Sequence, residues 1–302
     1  MVLWLLTCSF SSVGQLPTLH GGTLQRLPDF PSRYVQPRAV DVWLPEGYVP
    51  TKKYATLYMH DGQMLFDNTT TWNLQEWHVE ETMSRLLREQ KIRDCIVVAV
   101  WNNGAARFAE YFPQKALTYL PAALRDTLVL RELGGRPQAD NYLCFLVREL
   151  KPYIDAHFAT RPEAASTFVA GSSMGGLISL YAVCEYPRVF GGAACLSTHW
   201  TGSLRGTNDA IPQALRAYLL KSRPSPATHR LYFDYGTAGL DAAYKAPQLL
   251  ADALLRQAGY TTRNLLSREF AGADHSEKAW SQRLALPLEF LLAPVSGIGS
   301  VR

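Results

Sequence analysis

Apolar residues along this chain gather into short runs that alternate with amphipathic ones. "AVDVWLPEGY" (Ala39–Tyr48) alternates apolar and polar positions and ends at a Pro-Glu-Gly turn. "ATLYMHDG" (Ala55–Gly62) and "CIVVAVWNNG" (Cys95–Gly104) are nearly continuous apolar runs closed by Asp-Gly and Asn-Asn-Gly. Such runs predict strands buried on both faces. "STFVA" (Ser166–Ala170), "GGAACLSTHW" (Gly191–Trp200), "HRLYFDYG" (His229–Gly236) and "NLLSREFAGADH" (Asn264–His275) read as further strands. Between them the period changes. In "EWHVEETMSRLLREQ" (Glu76–Gln90), Val79, Met83, Leu86 and Leu87 share one face of a helix. Further helices are predicted over 141–158, interrupted by Pro152, directly after the Gly175-Gly176 pair, and over 247–258 and 276–292. The stretch 105–137 shows no period and reads as a long irregular insertion, a lid or a pocket wall.

Strands alternating with helices need crossover connections. The predicted fold class is therefore α/β, a mostly parallel central sheet with helices on both faces. With no internal repeat and 302 residues, one domain over 15–302 accounts for the chain. In sheets of this kind the working groups collect at the carboxyl ends of the strands. Those ends here carry His60-Asp61-Gly62, Asn102-Asn103-Gly104, Ser173, His199-Trp200, Asp234 to Asp241, and Asp274-His275.

Composition narrows the function classes. The chain is 47% hydrophobic and 19% charged with a net charge of +4, and its Lys and Arg are scattered, so nothing points to nucleic acid. No apolar run is long enough for a transmembrane segment. Five cysteines, Cys8, Cys95, Cys144, Cys184 and Cys195, form no CxxC and suggest no metal site; four fall in apolar runs as small buried hydrophobes. Residues 1–14, with the short apolar run "VLWLLTCSF" and a small-x-small Ser12-Val13-Gly14, read as a signal segment lacking a charged start. Export to the periplasm or exterior is the expectation it raises, with a cytoplasmic location as the alternative.

The sharpest local signal is "STFVAGSSMGGLISLYAV" (Ser166–Val183), an apolar strand, a glycine-flanked corner and a helix. Gly171-Ser172-Ser173-Met174-Gly175 fits G-x-S-x-G with Ser173 at the centre. That corner lifts the central side chain clear of the sheet, and its glycines remove Cβ atoms that would clash. The helix start behind it favours developing negative charge. A glycine-rich turn with Ser173 as a simple helix cap is the bland alternative. A serine nucleophile needs a base and an orienting acid, in chain order Ser, acid, His on this scaffold. Beyond His229 only His275 remains, after the last predicted strand. For the acid, Asp234 and Asp241 both fit by location, and Asp241, in the loop "TAGLD", is favoured because its side chain can turn towards the histidine. The backbone N–H of Met174 is one expected oxyanion donor, and that of Gly62 or Gln63 the other.

With these residues in hand, the chain resembles the putative-esterase family of α/β-hydrolases, which includes feruloyl and acetyl-xylan esterases, enterochelin-type siderophore esterases, S-formylglutathione hydrolases and mycolyltransferases. "LYMHDGQMLFD" (Leu57–Asp67), "EWHVEETM", "FLVRELKPYIDAHFATRP" (Phe145–Pro162), "AGSSMGGLISLYA", "FDYGTAGLDAAY" and "GADHSEKAW" carry the resemblance nearly to the end of the chain. It implies an α/β-hydrolase fold, Ser173, Asp241 and His275 as a triad, and an oxyanion role for Asp61-Gly62-Gln63. Two positions depart from the family pattern. Trp101 stands where a smaller residue is common and would narrow one side of the pocket, and Ser172 replaces the His or Leu of several subgroups.

Aromatic residues crowd the candidate loops: Trp72, Trp77, Trp101, Phe108, Tyr111, Trp200, Tyr235 and Trp280. Tyr111 and Trp200, with Trp101, are the expected pocket residues. The function expected is hydrolysis of a small-molecule carboxylic ester, of a carbohydrate, phenolic acid or siderophore, through an acyl-enzyme, with no cofactor and no metal. Acyl transfer to an alcohol by the same residues, and a non-catalytic binding protein on the same fold, are the competing readings.

Overall fold

The apolar runs pair side by side into one eight-stranded sheet in a computed structural model of the chain, which describes residues 16–205 and 209–294. The segment 1–14, its Cys8 and the export reading lie outside the described residues. The strands are β1 (Thr23–Phe30), β2 (Arg38–Leu44), β3 (Ala55–His60), β4 (Cys95–Val100), β5 (Thr167–Ser172), β6 (Gly192–Leu196), β7 (Arg230–Gly236) and β8 (Leu265–Phe270). Their spatial order is β1-β2-β4-β3-β5-β6-β7-β8. β1 and β2 join antiparallel, and every pairing from β4 to β8 is parallel. This is the α/β-hydrolase arrangement.

The sheet works because its central strands are apolar on both sides. Leu57, Met59, Val97, Ala99, Phe168 and Ala170 pack into one core; Tyr58, Val98, Val100 and Val169 pack into the other. Side chains alternate faces with period two, so a strand covered on both sides reads as a continuous apolar run. On the first face lie α1 (Val79–Arg88), contributing Met83 and Leu86, and the C-terminal pair described below. The opposite core is closed by residues of α2 (Arg107–Tyr111), α3 (Ala122–Arg131), α4 (Ala139–Phe145), α5 (Lys151–His157), α6 (Met174–Glu185), α7 (Ala210–Ser222) and α8 (Lys245–Gln257). α9 (Glu277–Arg283) and α10 (Ala285–Leu291) complete the first face with Trp280, Leu288 and Leu291. No helix among the described residues is long and apolar enough to cross a membrane.

Four features differ from the sequence expectations. β1 carries no apolar-run signal because it is a half-exposed edge strand holding Pro28, and its pairing shifts register between Leu27 and Phe30. α7 fills a crossover where the pattern marked no helix. The insertion read as irregular is mostly helical, with short 3₁₀ turns at Gly104–Ala106 and Gln114–Tyr119 beside α2 and α3. Its periodicity is faint because α3 buries only Leu128. Pro152 does not end its helix: a π turn over Leu146–Leu150 bridges α4 to α5, and such a widened turn accommodates a proline that cannot donate its own bond. The described cysteines, Cys95, Cys144, Cys184 and Cys195, are unpaired.

One buried ion pair ties the insertion to the sheet. Arg38 of β2 donates two bonds, of 2.8 and 2.7 Å, to the Glu110 carboxylate on α2, and both side chains are almost fully enclosed. Removing one partner leaves a buried charge without its counter-ion. Arg38→Ala is expected to cost about 3–5 kcal/mol in urea unfolding. The Arg38→Met, Glu110→Leu double variant should recover most of that loss. A single-variant cost below about 1 kcal/mol, the scale of exposed pairs, would contradict the account.

Candidate active site

Three neighbouring strands, β3, β5 and β6, each end in a non-glycine residue forced into positive φ: Asp61 at 58°, Ser173 at 57° and Ser197 at 40°. Such backbone costs roughly 1–3 kcal/mol per residue and persists only where surrounding structure enforces it.

The corner at Ser173 is the tightest, with ψ at −122°. Its N–H donates to the Leu196 carbonyl (2.9 Å), and its own carbonyl accepts from Gly176 (3.0 Å) and His199 (3.2 Å). A Cβ on Gly171 would sit 2.9 Å from the Gly175 backbone. On Gly175 it would press within 3.3 Å of Asp61 Oδ2, so the start of α6 lies directly against the loop after β3. The Ser173 side chain does not cap α6. It faces a cavity of about 720 Å³ that is also lined by His275, Gln63, Arg107 and Trp280. Ser172 touches the same cavity from the end of β5.

His275 sits between β8 and α9. Its Nδ1 is 2.6 Å from Asp241 Oδ1. Asp241 is wholly enclosed in the turn after β7, and its Oδ2 accepts from the Gly236 N–H (2.6 Å) and the Ser197 hydroxyl (2.6 Å). Burial alone would raise its pKa. The bonds from His275, Ser197 and Gly236 outweigh that and hold it below the ordinary carboxylate range. Asp234, the alternative acid, does not meet His275. Its Oδ1 accepts from the Ser197 N–H (3.1 Å) and Arg283 (2.9 Å), and its Oδ2 from the Tyr232 hydroxyl (2.9 Å). Asp274 turns away and accepts from the Ser276 hydroxyl (2.6 Å).

Ser197 joins these groups, although no sequence motif marks it. Besides donating to Asp241, its hydroxyl accepts from Trp280 Nε1 (2.9 Å) and Arg283 (2.8 Å). Arg283 also lies 3.7 Å from Asp241. The His275 ring is held edge-to-face between Trp280 at 4.9 Å and Tyr244 at 5.7 Å. The Tyr244 hydroxyl interacts with Ser173 and Thr201 and lies 2.5 Å from His199 Nδ1. No hydrogen bond joins Ser173 Oγ to His275, and such contacts commonly tighten only when substrate binds.

The N–H groups of Met174 and Gln63 begin helical turns and meet no protein acceptor among the described residues. Asp61 fixes the Gln63 loop through two 2.7 Å bonds from Arg107 and one of 2.7 Å from Asn102. Burial pushes the Asp61 carboxyl up, but the Arg107 charge and these bonds pull it below its usual range. Gly62 has no room for a side chain: a Cβ would meet the Ala99 carbonyl carbon at 2.7 Å and Trp101 at 2.9 Å.

The pocket aromatics sort differently from expectation. Tyr111 and Trp200 are fully buried core residues, Tyr111 against His60 and Tyr142, Trp200 donating to Gln248 Oε1 (2.7 Å). Neither lines the Ser173 cavity. Trp101 lies behind Gly62, bonded to Asp41 (2.9 Å), and walls a second cavity. The cavity wall is made instead by Trp72, Trp77 and Trp280. Trp72 stands 84% exposed on a rim loop pinned to α9 by Asn73 donating to Glu277 (2.6 Å). Among the described residues no three His, Cys, Asp or Glu side chains converge as a metal site.

Known proteins share this architecture. The family model described as Putative esterase matches residues 32–291. The uncharacterized protein YbbA of Bacillus subtilis is 24% identical over 261 residues, 84% of this chain and 92% of that one. A ferulic acid esterase from Anaeromyces mucronatus, solved in complex with ferulic acid, superposes with a TM-score of 0.59 at 18% identity, covering 91% of this chain and 93% of that one. The enterobactin esterase of Shigella flexneri gives 0.64 at 18% identity, over 91% of this chain and 61% of that one. At these identities the structural likeness is one of fold.

Beneath the site, His60 and His199 are shut away from water. Burial drives each ring's pKa down to about 3, with neighbouring Arg107 adding to the effect, and for His199 the His275 ring as well. An unfolded histidine takes up a proton near pH 6.5. Each ring therefore makes the folded state lose stability as pH falls from about 6.5 towards 3. Long-range ¹H–¹⁵N NMR is expected to find both rings neutral at about pH 5, two units above those values. A ring that titrates near its ordinary value would contradict the burial described.

Proposed function

The chain belongs to the Putative esterase family and is a carboxylic ester hydrolase, and on that premise we propose that it works through an acyl-enzyme on Ser173, with His275 as general base and Asp241 as its orienting acid. The observation that carries this reading is the 2.6 Å contact of His275 Nδ1 with a buried Asp241, beside a Ser173 that faces the same cavity from a strained corner.

Asp241 accepts a hydrogen bond from Nδ1–H of His275, which holds the tautomer whose Nε2 carries the free lone pair. Nε2 takes the Ser173 proton as Oγ attacks the ester carbonyl, and Asp241 steadies the imidazolium that forms. The developing oxyanion meets the N–H groups of Met174 and of Gln63 or Gly62. Collapse expels the alcohol with the proton from His275. Water, activated by the same nitrogen, then releases the acid and restores Ser173. Trp72, Trp77 and Trp280, with the polar Asn73, Gln75 and Asn102, suit a small ester bearing a flat phenolic or sugar group.

Steady-state hydrolysis of p-nitrophenyl acetate checks these roles. Ser173→Ala and Asp241→Asn are expected to lower kcat by about 10³-fold or more. Asp234→Asn should change stability far more than kcat. Turnover by Ser173→Ala with the wild-type pH dependence would sink the nucleophile assignment. Ser197→Ala deletes one of the three partners of Asp241 and is expected to reduce kcat about tenfold at similar KM, as for a lost bond to a charged group. An unchanged kcat would remove Ser197 from the account.

A further inference from the structure

A second cavity, of about 610 Å³, adjoins the first: Gln63 lines both. Its wall carries the carboxylates of Asp67, Glu76, Glu80 and Glu81 as well as Asp41. These acids are unequally matched. Asp41 is neutralised by Arg26, at 2.7 and 2.9 Å. Glu81 is shared by His78 at 2.7 Å and His20 at 3.6 Å. Glu76 and Glu80 have no Lys or Arg partner among the described residues; Glu76 meets the His78 ring at 3.7 Å and accepts from the Asn68 backbone N–H. Glu80 is 2% exposed and accepts from the His20 backbone N–H, but its Oε2, like that of Glu76, makes no hydrogen bond among the described residues.

Carboxylates held out of water without a counter-ion are costly, and a bound cation relieves that cost. Burial, with Glu81 and Glu76 nearby, holds the Glu80 carboxyl up to about 7, in keeping with an unmatched site. These side chains do not close on a single point as metal ligands do. They are spread over a space that would hold an organic group. We propose that this cavity is a subsite for a cationic group of the ester substrate, an ammonium or guanidinium, with Glu76 and Glu80 as its counter-ions. The inference rests on the ester-hydrolase reading of the neighbouring cavity, and it sets the substrate class: an ester whose alcohol or acyl part reaches past Gln63 with a positive charge.

Two matched pairs of probes test it. Acetylcholine against its neutral carbon isostere puts the charge on the alcohol. The p-nitrophenyl ester of aminohexanoic acid against that of heptanoic acid puts it on the acyl chain. In at least one pair the cationic member is expected to show kcat/KM about tenfold above its neutral partner, about 1.4 kcal/mol, with the preference shrinking as salt is added. Glu76→Gln and Glu80→Gln should each bring that ratio towards one; Glu76, the less buried, serves if the Glu80 variant does not fold. Equal or poorer turnover of the cationic member in both pairs, or a ratio untouched in the folded variants, overturns the proposal. Saturation-transfer NMR with acetylcholine and its isostere on Ser173→Ala reads binding without turnover. If no ester is hydrolysed at all, the catalytic reading fails by itself. A binding preference for acetylcholine that Glu76→Gln abolishes then still supports the subsite, and no preference overturns it.

Discussion

The strained corner at Ser173 governs the rest of the site. A non-glycine residue at φ 57° and ψ −122° is held there by what lies on either side: the Leu196 carbonyl on β6, the Gly171–Gly175 approach, and the loop after β3. Because β3, β5 and β6 are hydrogen-bonded in register, their three broken ends lie side by side. One supplies Asp61 and the N–H of Gln63, the next Ser173 and the N–H of Met174, the third Ser197. Strain at one end is therefore sustained by bonds to the others, as expected of backbone kept for function rather than stability.

Electrostatics follows from the same geometry. Asp61, Asp234 and Asp241 are all enclosed, and each is matched differently. Arg107 and Asn102 hold Asp61, which ties the loop after β3 to the insertion. Asp234 gives its charge to Arg283, and burial still holds its pKa above the usual value. Asp241 remains the stronger anion and the one that reaches His275. Ser197 connects the two acids, which lets a structural ion pair brace a histidine it never touches. Buried pairs of this kind contribute little net stability but are costly to break singly.

Much of this was legible in the sequence because burial on both faces leaves an unmistakable trace. The central strands β3 to β7 show as apolar runs, β2 as an alternating one; β1 leaves no trace, and β8, the other edge, is marked by its flanking residues although only Leu265 is buried. The strand-corner-helix around Ser173 is local and so visible from five residues. Chain order leaves Asp234 and Asp241 as possible partners of His275, and the loop position of Asp241 separates them. Ser197 and Arg283 were invisible: a serine and an arginine acquire meaning only when β6, β7 and α9 converge. The aromatics misled for a related reason. Trp200 follows a strand end and Tyr111 lies in the insertion beside one, as a pocket residue would, and only the fold shows that their rings turn into the core while Trp72 stays at the rim.

Two adjacent serines make the central claim open to a direct check. Treating the protein with a fluorophosphonate and mapping the adduct by peptide mass spectrometry distinguishes Ser173 from Ser172. The account predicts a single adduct on Ser173, absent from heat-unfolded protein. Adduct on Ser172, or none on a folded sample that hydrolyses esters, would contradict it.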